Sequence, residues 1–114
     1  MNDLNFSALH EIANAAYQDA KTHGLYDDVD LCLGKRSVPF VRQRLCLLIR
    51  EEVCEAYEAY QDPKHYAEEL ADIMIMCMSA AEHLGIDIAN QVERKMEINR
   101  KRPFMHGKRA QNGS

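Results

Sequence analysis

Apolar positions recur at three- and four-residue intervals over most of this chain. Nowhere do they alternate with a period of two between turn dipeptides, the pattern that paired strands need. The periodicity predicts an all-α protein. From about Phe6 to His23, Leu9, Ile12, Ala13, Ala16, Tyr17 and Ala20 fall on one stripe, and Gly24 stands where a helix-ending glycine belongs. The pattern fails from Leu25 to Pro39, through Asp27-Asp28-Val29-Asp30, Gly34 and Lys35-Arg36, which predicts a connecting loop long enough to act as a lid. A second helix is predicted from about Phe40 to Gln61 and a third from about Pro63 to Leu84. They join at Asp62-Pro63, an N-cap followed by the proline that suits a first helical position. So short a connection makes the pair an antiparallel αα-hairpin. Gly85 closes the third helix, Asp87 caps a fourth, and Pro103 ends that one after Arg102. Residues 1–110 are thus expected to form one four-helix domain, with 111–114 a frayed tail.

Length and composition add bounds. The 46% apolar and 28% charged content of this 114-residue chain excludes disordered and collagen-like classes. A chain this short exposes much of its surface, and Ile73 to Met78 is apolar all round. Ile73, Met74, Met76, Cys77 and Met78 are therefore expected at the interface of a homo-oligomer. Fourteen Lys and Arg against eighteen Asp and Glu leave a formal charge of −4, which argues against a dedicated nucleic-acid binder. Met1-Asn2-Asp3-Leu4 lacks the features of a secretory signal, and the longest uncharged apolar run, Ile73 to Ala81, is roughly half a membrane span, so a cytoplasmic location is expected. Cys32, Cys46, Cys54 and Cys77 contain no C-x-x-C pair and read as free thiols rather than zinc ligands. The five histidines are scattered and read as surface or capping residues, His106 being the exception worth testing.

The charges are segregated. Eight of the eighteen acids lie between Glu51 and Asp72, and seven of the fourteen Lys and Arg between Arg94 and Arg109. On the second helix the line Val41, Leu45, Leu48 continues into Glu52, Glu55 and Ala59, so two acids occupy an apolar stripe. At about 100° per residue, Glu52 and Glu55 differ by roughly 60° and converge on one patch. The third helix repeats the device with Glu69, Asp72, Met76 and Ala80. Folding the hairpin brings the two acidic pairs face to face. Unpaired like charges in a partly desolvated cleft are costly unless a divalent cation compensates them. Carboxylates without His or Cys companions favour Mg²⁺ or Mn²⁺. The plain alternative is a solvated acidic helix face partly neutralised by Arg42, Arg44 and Arg50.

On the fourth helix Lys95, Asn99 and Arg102 form one polar line at spacings of four and three. A point charge, a neutral donor and a planar fork together suit a polyphosphate, although a solvated basic helix end would carry the same residues. Phe40, Tyr57, Tyr60 and Tyr66 lie near the acids in sequence, and each is a candidate for stacking on a base or for core packing.

Glu51-Glu52-Val53-Cys54-Glu55 followed by Glu69-Leu70-Ala71-Asp72 reads E-E-x-x-E … E-x-x-D. Together with the Gly85-Ile86-Asp87 turn, the K-x-x-x-N-x-x-R run from Lys95 to Arg102, and His106-Gly107-Lys108, it resembles the MazG-like, all-α nucleoside triphosphate pyrophosphohydrolase superfamily. The resemblance covers roughly residues 40–108; residues 1–39 carry none of its motifs. It implies a MazG-like bundle, a homo-dimer or homo-tetramer, and Mg²⁺-dependent cleavage between the α- and β-phosphates of a nucleoside triphosphate. The products would be a monophosphate and pyrophosphate, a reaction suited to cleaning the nucleotide pool. Family metal ligands map to Glu52, Glu55, Glu69 and Asp72, and phosphate contacts to Lys95, Asn99, Arg102 and Lys108. Glu51, about 100° round the helix from Glu52, is expected at a further metal or at the attacking water, so Glu51 and Glu52 are the candidate catalytic acids. Other readings are a non-catalytic helical interaction module retaining the fold and a phosphoribosyl-ATP pyrophosphatase-like enzyme, the His-Gly-Lys ending favouring the nucleotide-cleaning branch over the latter. A ferritin-like di-iron protein would need Glu-x-x-His motifs, and the sequence has none.

Overall fold

The computed structural model describes residues 4–27 and 38–103. Within them the backbone forms four helices, α1 (Phe6–Thr22), α2 (Val38–Glu58), α3 (Pro63–His83) and α4 (Ile88–Arg100), and no strand. Residues 28–37 of the lid expected from Leu25 to Pro39, and everything from 104 onward, including His106, Lys108 and the tail, lie outside the described residues.

Side-chain oxygens close the exposed amide ends of three helices. Asn5 accepts from the Ala8 amide at 3.2 Å, Asp62 from the His65 amide at 3.2 Å, and Asp87 from the Asn90 amide at 3.1 Å. Two helices stop at a glycine in the left-handed region, Gly24 at φ 83° and Gly85 at φ 71°. Past Gly24 the Leu25 amide reaches the Ala20 carbonyl at 3.0 Å, and past Gly85 the Ile86 amide reaches Ala81 at 2.8 Å, so both ends are Schellman motifs. α2 departs from its predicted span at both ends. It starts two residues earlier, taking Pro39 into a first turn where the missing amide costs nothing, and it ends at Glu58 because Ala59 to Gln61 tighten into the turn before Asp62. α4 likewise ends at Arg100 rather than Arg102, with Lys101 as its cap.

α3 lies between α1 and α2 and contacts both, whereas α4 packs chiefly along α1. The core forms where the end of α1 meets the first half of α2 and the second half of α3: Tyr26, Val41, Leu45, Met76 and Ala80 are buried together. Tyr26 corrects the expectation of a plain loop from Leu25 onward. It is 1% exposed, its ring stacks on His83 at 4.2 Å, and its hydroxyl shares a hydrogen bond with Ser79, while Leu25 packs against the same core. A polar run that follows a helix-ending glycine hides two residues that the Schellman turn folds back onto the core.

The expected oligomer interface on α3 also needs correction, because Met76 and Met78 are buried within the chain itself. A helix flanked by two others buries two sides, so an all-round apolar segment need not face a second copy at every position. Of that segment Met74 and Ile75 are exposed, and Ile73 and Cys77 are half-buried. Cys46, Cys54 and Cys77 are free thiols, as the sequence predicts, and burial pushes the Cys77 thiol above its ordinary pKa, which keeps it protonated.

Candidate metal centre

The αα-hairpin brings acids from both its arms together. Glu52 of α2 and Glu69 and Asp72 of α3 each offer one carboxylate oxygen, and these oxygens lie within 4.8 Å of one another. Glu52 and Glu69 are half-buried, while Asp72 opens to solvent. Like charges at such separations repel by a few kcal/mol per pair at the effective dielectric of a protein surface. The effect is visible in Glu52, whose carboxyl is held above its usual pKa, first by burial and then by the neighbouring charges of Glu55, Asp72 and Glu69; a hydrogen bond to Glu55 further favours its protonated form.

Glu55 is the fourth acid of the expected set. It is exposed and adjoins Glu52 without joining the three oxygens that converge most closely. Glu52, Glu55 and Asp72 line a cleft of about 250 Å³ whose other wall is apolar, made by Ala20 and Leu25 from the α1 end and Ile75 and Met76 from α3. Glu51, about 100° round the helix from Glu52, lies in an adjoining depression beside Arg44 and Arg50 that shares Glu55 with the cleft.

Glu69 carries the detail that bears on a cation. Its Oε1 accepts a hydrogen bond from His65 Nε2 at 3.0 Å, whereas its Oε2 is enclosed and has no hydrogen-bond partner. A sealed carboxylate oxygen without a donor is costly, and a divalent cation supplies what it lacks. The donor set, carboxylate oxygens with no thiolate or imidazole among the three, fits a hard ion such as Mg²⁺ or Mn²⁺. His65 is exposed, as its sequence context predicts, and in addition holds Glu69. The signal that finds it is its position four residues before Glu69, one helical turn away on the same face.

Lys95 lies with Gln91, Arg94 and Ile98 in a depression of about 220 Å³ that holds no member of the acidic cluster, because α4 packs along α1 rather than on the hairpin. Asn99 is half-buried with its Oδ1 enclosed and unpartnered, and Arg102 is exposed just beyond the cap of α4. Of the aromatic candidates, Tyr57 and Tyr60 are 79% and 68% exposed at the hairpin tip with ring centroids 6.5 Å apart, Tyr66 is also exposed and Phe40 half-buried; none lines the acidic cleft.

Comparison with known proteins fixes the family. The model of the MazG-like family matches residues 46–113, more than half of the chain and all four of the acids Glu52, Glu55, Glu69 and Asp72. The chain belongs to the MazG-like family. Membership points to nucleotide-pyrophosphatase-type chemistry and accords with the all-helical fold and with the acidic cluster as a metal-holding arrangement. No curated protein and no solved structure matches the chain. Among the described residues no helix is long and apolar enough to cross a membrane.

Proposed function

We propose that this MazG-like chain is a Mg²⁺-dependent nucleoside triphosphate pyrophosphohydrolase that cleaves between the α- and β-phosphates, releasing pyrophosphate and a nucleoside monophosphate. The observation that carries the reading is the convergence of Glu52, Glu69 and Asp72 across the hairpin, with one Glu69 oxygen sealed and unpartnered, in a chain of this family. Glu52, Glu55, Glu69 and Asp72 would hold the ion, with Mn²⁺ an acceptable substitute. A divalent cation bound there would neutralise phosphate charge and lower the pKa of a coordinated water, easing its deprotonation.

The protein's own groups supply the rest. Glu52, on the cleft, and Glu51, in the adjoining depression that Glu55 also borders, are the carboxylates assigned to accepting a proton from the attacking water and orienting it. Lys95, Asn99, Arg102 and Lys108 are assigned to the phosphate oxygens, where fixed cationic donors hold the chain of phosphates for in-line attack. Ala20, Leu25, Ile75 and Met76, the apolar wall of the cleft, are left for the nucleoside. Since the depression around Lys95 holds none of the cluster acids, the reading also assigns the protein to a homo-dimer or homo-tetramer. Its contact face would be the exposed apolar positions of the hairpin, Val53 and Tyr57 on α2 and Leu70 and Met74 on α3, at 44–79% exposure.

A screen of canonical and damaged nucleoside triphosphates for pyrophosphate release, with and without Mg²⁺, tests the activity. Metal-dependent release from at least one triphosphate is expected, and it should vanish in Glu52→Gln. Release of orthophosphate instead would mean cleavage at the γ-phosphate and overturn the proposed bond, while no turnover of any triphosphate would leave a non-catalytic helical module as the reading.

A further inference from the structure

His65 lies in the first turn of α3, its backbone amide held by the Asp62 cap at 3.2 Å and its ring one turn below Glu69. Long helical side chains lean toward the N-terminal end, so the Glu69 carboxylate leans back over the turn that carries His65. The two meet at 3.0 Å between Nε2 and Oε1. An ordinary exposed pair at this spacing leaves both carboxylate oxygens open to water. This one does not: the Glu69 side chain is 12% exposed against 53% for His65, and the oxygen that the histidine does not touch is enclosed and unpartnered. One edge of the carboxylate is tied down from outside and the other is enclosed, in a side chain that brings an oxygen within 4.8 Å of carboxylate oxygens of Glu52 and Asp72.

We infer that His65 is a positioning residue for the metal centre: its Nε2–H holds Glu69 Oε1 and so presents Oε2 to the divalent cation. The inference rests on the metal-binding part of the function proposed above. Glutamate has three side-chain torsions to fix before it can serve as a ligand, and a donor on the far oxygen fixes the last of them before the ion arrives. The same donor removes Oε1 from competition, which leaves Glu69 with one oxygen to offer. His65 itself need not touch the ion, and its half-exposed ring suits a residue that acts from the outside of the cluster.

Titration of the full-length, metal-free protein with Mn²⁺, followed by calorimetry and by the Mn²⁺ paramagnetic resonance signal, tests the assignment. His65→Ala is expected to weaken Mn²⁺ binding about tenfold to a hundredfold, the usual effect of losing the partner of a metal ligand. His65→Gln, which restores an N–H donor at the same reach, should recover most of that loss. In a Glu69→Gln background His65→Ala should change Mn²⁺ affinity no further, because the histidine acts only through that carboxylate. Circular dichroism on the metal-free variants checks that the helices are retained. Wild-type protein that binds Mn²⁺ while His65→Ala binds it equally well would overturn the inference and reduce the pair to a surface contact. Wild-type protein that binds no Mn²⁺ would overturn the metal reading itself, so the two failures are distinguishable.

Discussion

Glu52 shows how a single side chain reports on its surroundings. Its carboxyl is protonated more readily than an ordinary glutamate because burial and three neighbouring acids oppose its charge. In the metal-free protein, folding therefore raises its pKa, and the folded state binds the extra proton between the unfolded and folded values. Its stability contribution is full below the unfolded pKa and is lost as pH rises through the raised one. Thermal melts of the metal-free protein across that window should show stability falling with rising pH, and Glu52→Gln should flatten the slope. By the same logic Glu52→Gln, Glu55→Gln, Glu69→Gln and Asp72→Asn should each abolish turnover while melting no lower than the metal-free parent, since each removes repulsion. A clear loss of metal-free stability in all four would mark them as structural ion-pair partners instead. Lys95→Ala and Arg102→Ala should lower kcat/KM by roughly tenfold to a thousandfold, and equally for two triphosphates differing only in base, because a cation on phosphate oxygens does not inspect the base. Kinetics on such a pair check it; a reordered base preference would remove α4 from the phosphate contacts.

At the level of helices, the ends carry much of the specification. Asp62 and Pro63 set the start of α3, and with it the register that brings Glu69 opposite Glu52. Asp62→Ala should cost about 1 kcal/mol by exposing an uncapped amide end, measured by chemical denaturation. Gly85→Ala isolates backbone strain from packing, since an added Cβ would meet nothing within 4 Å while φ stays at 71°. Its expected cost is about 1 kcal/mol, arising from the left-handed conformation alone. These caps and glycines are local signals, legible in Gly24, Asp62, Gly85 and Asp87 before any packing was considered, whereas the Asn5 cap is found in the structure. The exact ends of α2 and α4 were not legible, because the chain tightens into turns by choices of backbone hydrogen bond that no side chain announces.

In the molecule as a whole, the core and the site share one hairpin: Met76 is buried beside Leu45 and also walls the acidic cleft. Leu45→Ala, at a position 2% exposed, should destabilise the protein by about 2–5 kcal/mol and lower its melting temperature accordingly. If the exposed apolar positions of the hairpin face a second copy, Leu70→Glu with Met74→Glu should shift light scattering toward the monomer mass, and an unchanged oligomer would place the contact elsewhere. The all-α class, the four helices and the facing of acids across the hairpin follow from periodicity and caps, since a period of 3.6 dictates which residues share a face and a short turn dictates that two helices meet. The MazG-like resemblance was legible for a similar reason, its acids and cations standing at helical spacings. Burial of Tyr26, the inward turn of Met76 and Met78, the separation of Lys95 from the acids and the sealing of Glu69 Oε2 were decided by tertiary packing. Each depends on which neighbour covers which side of a helix, a long-range choice that a one-dimensional pattern does not contain.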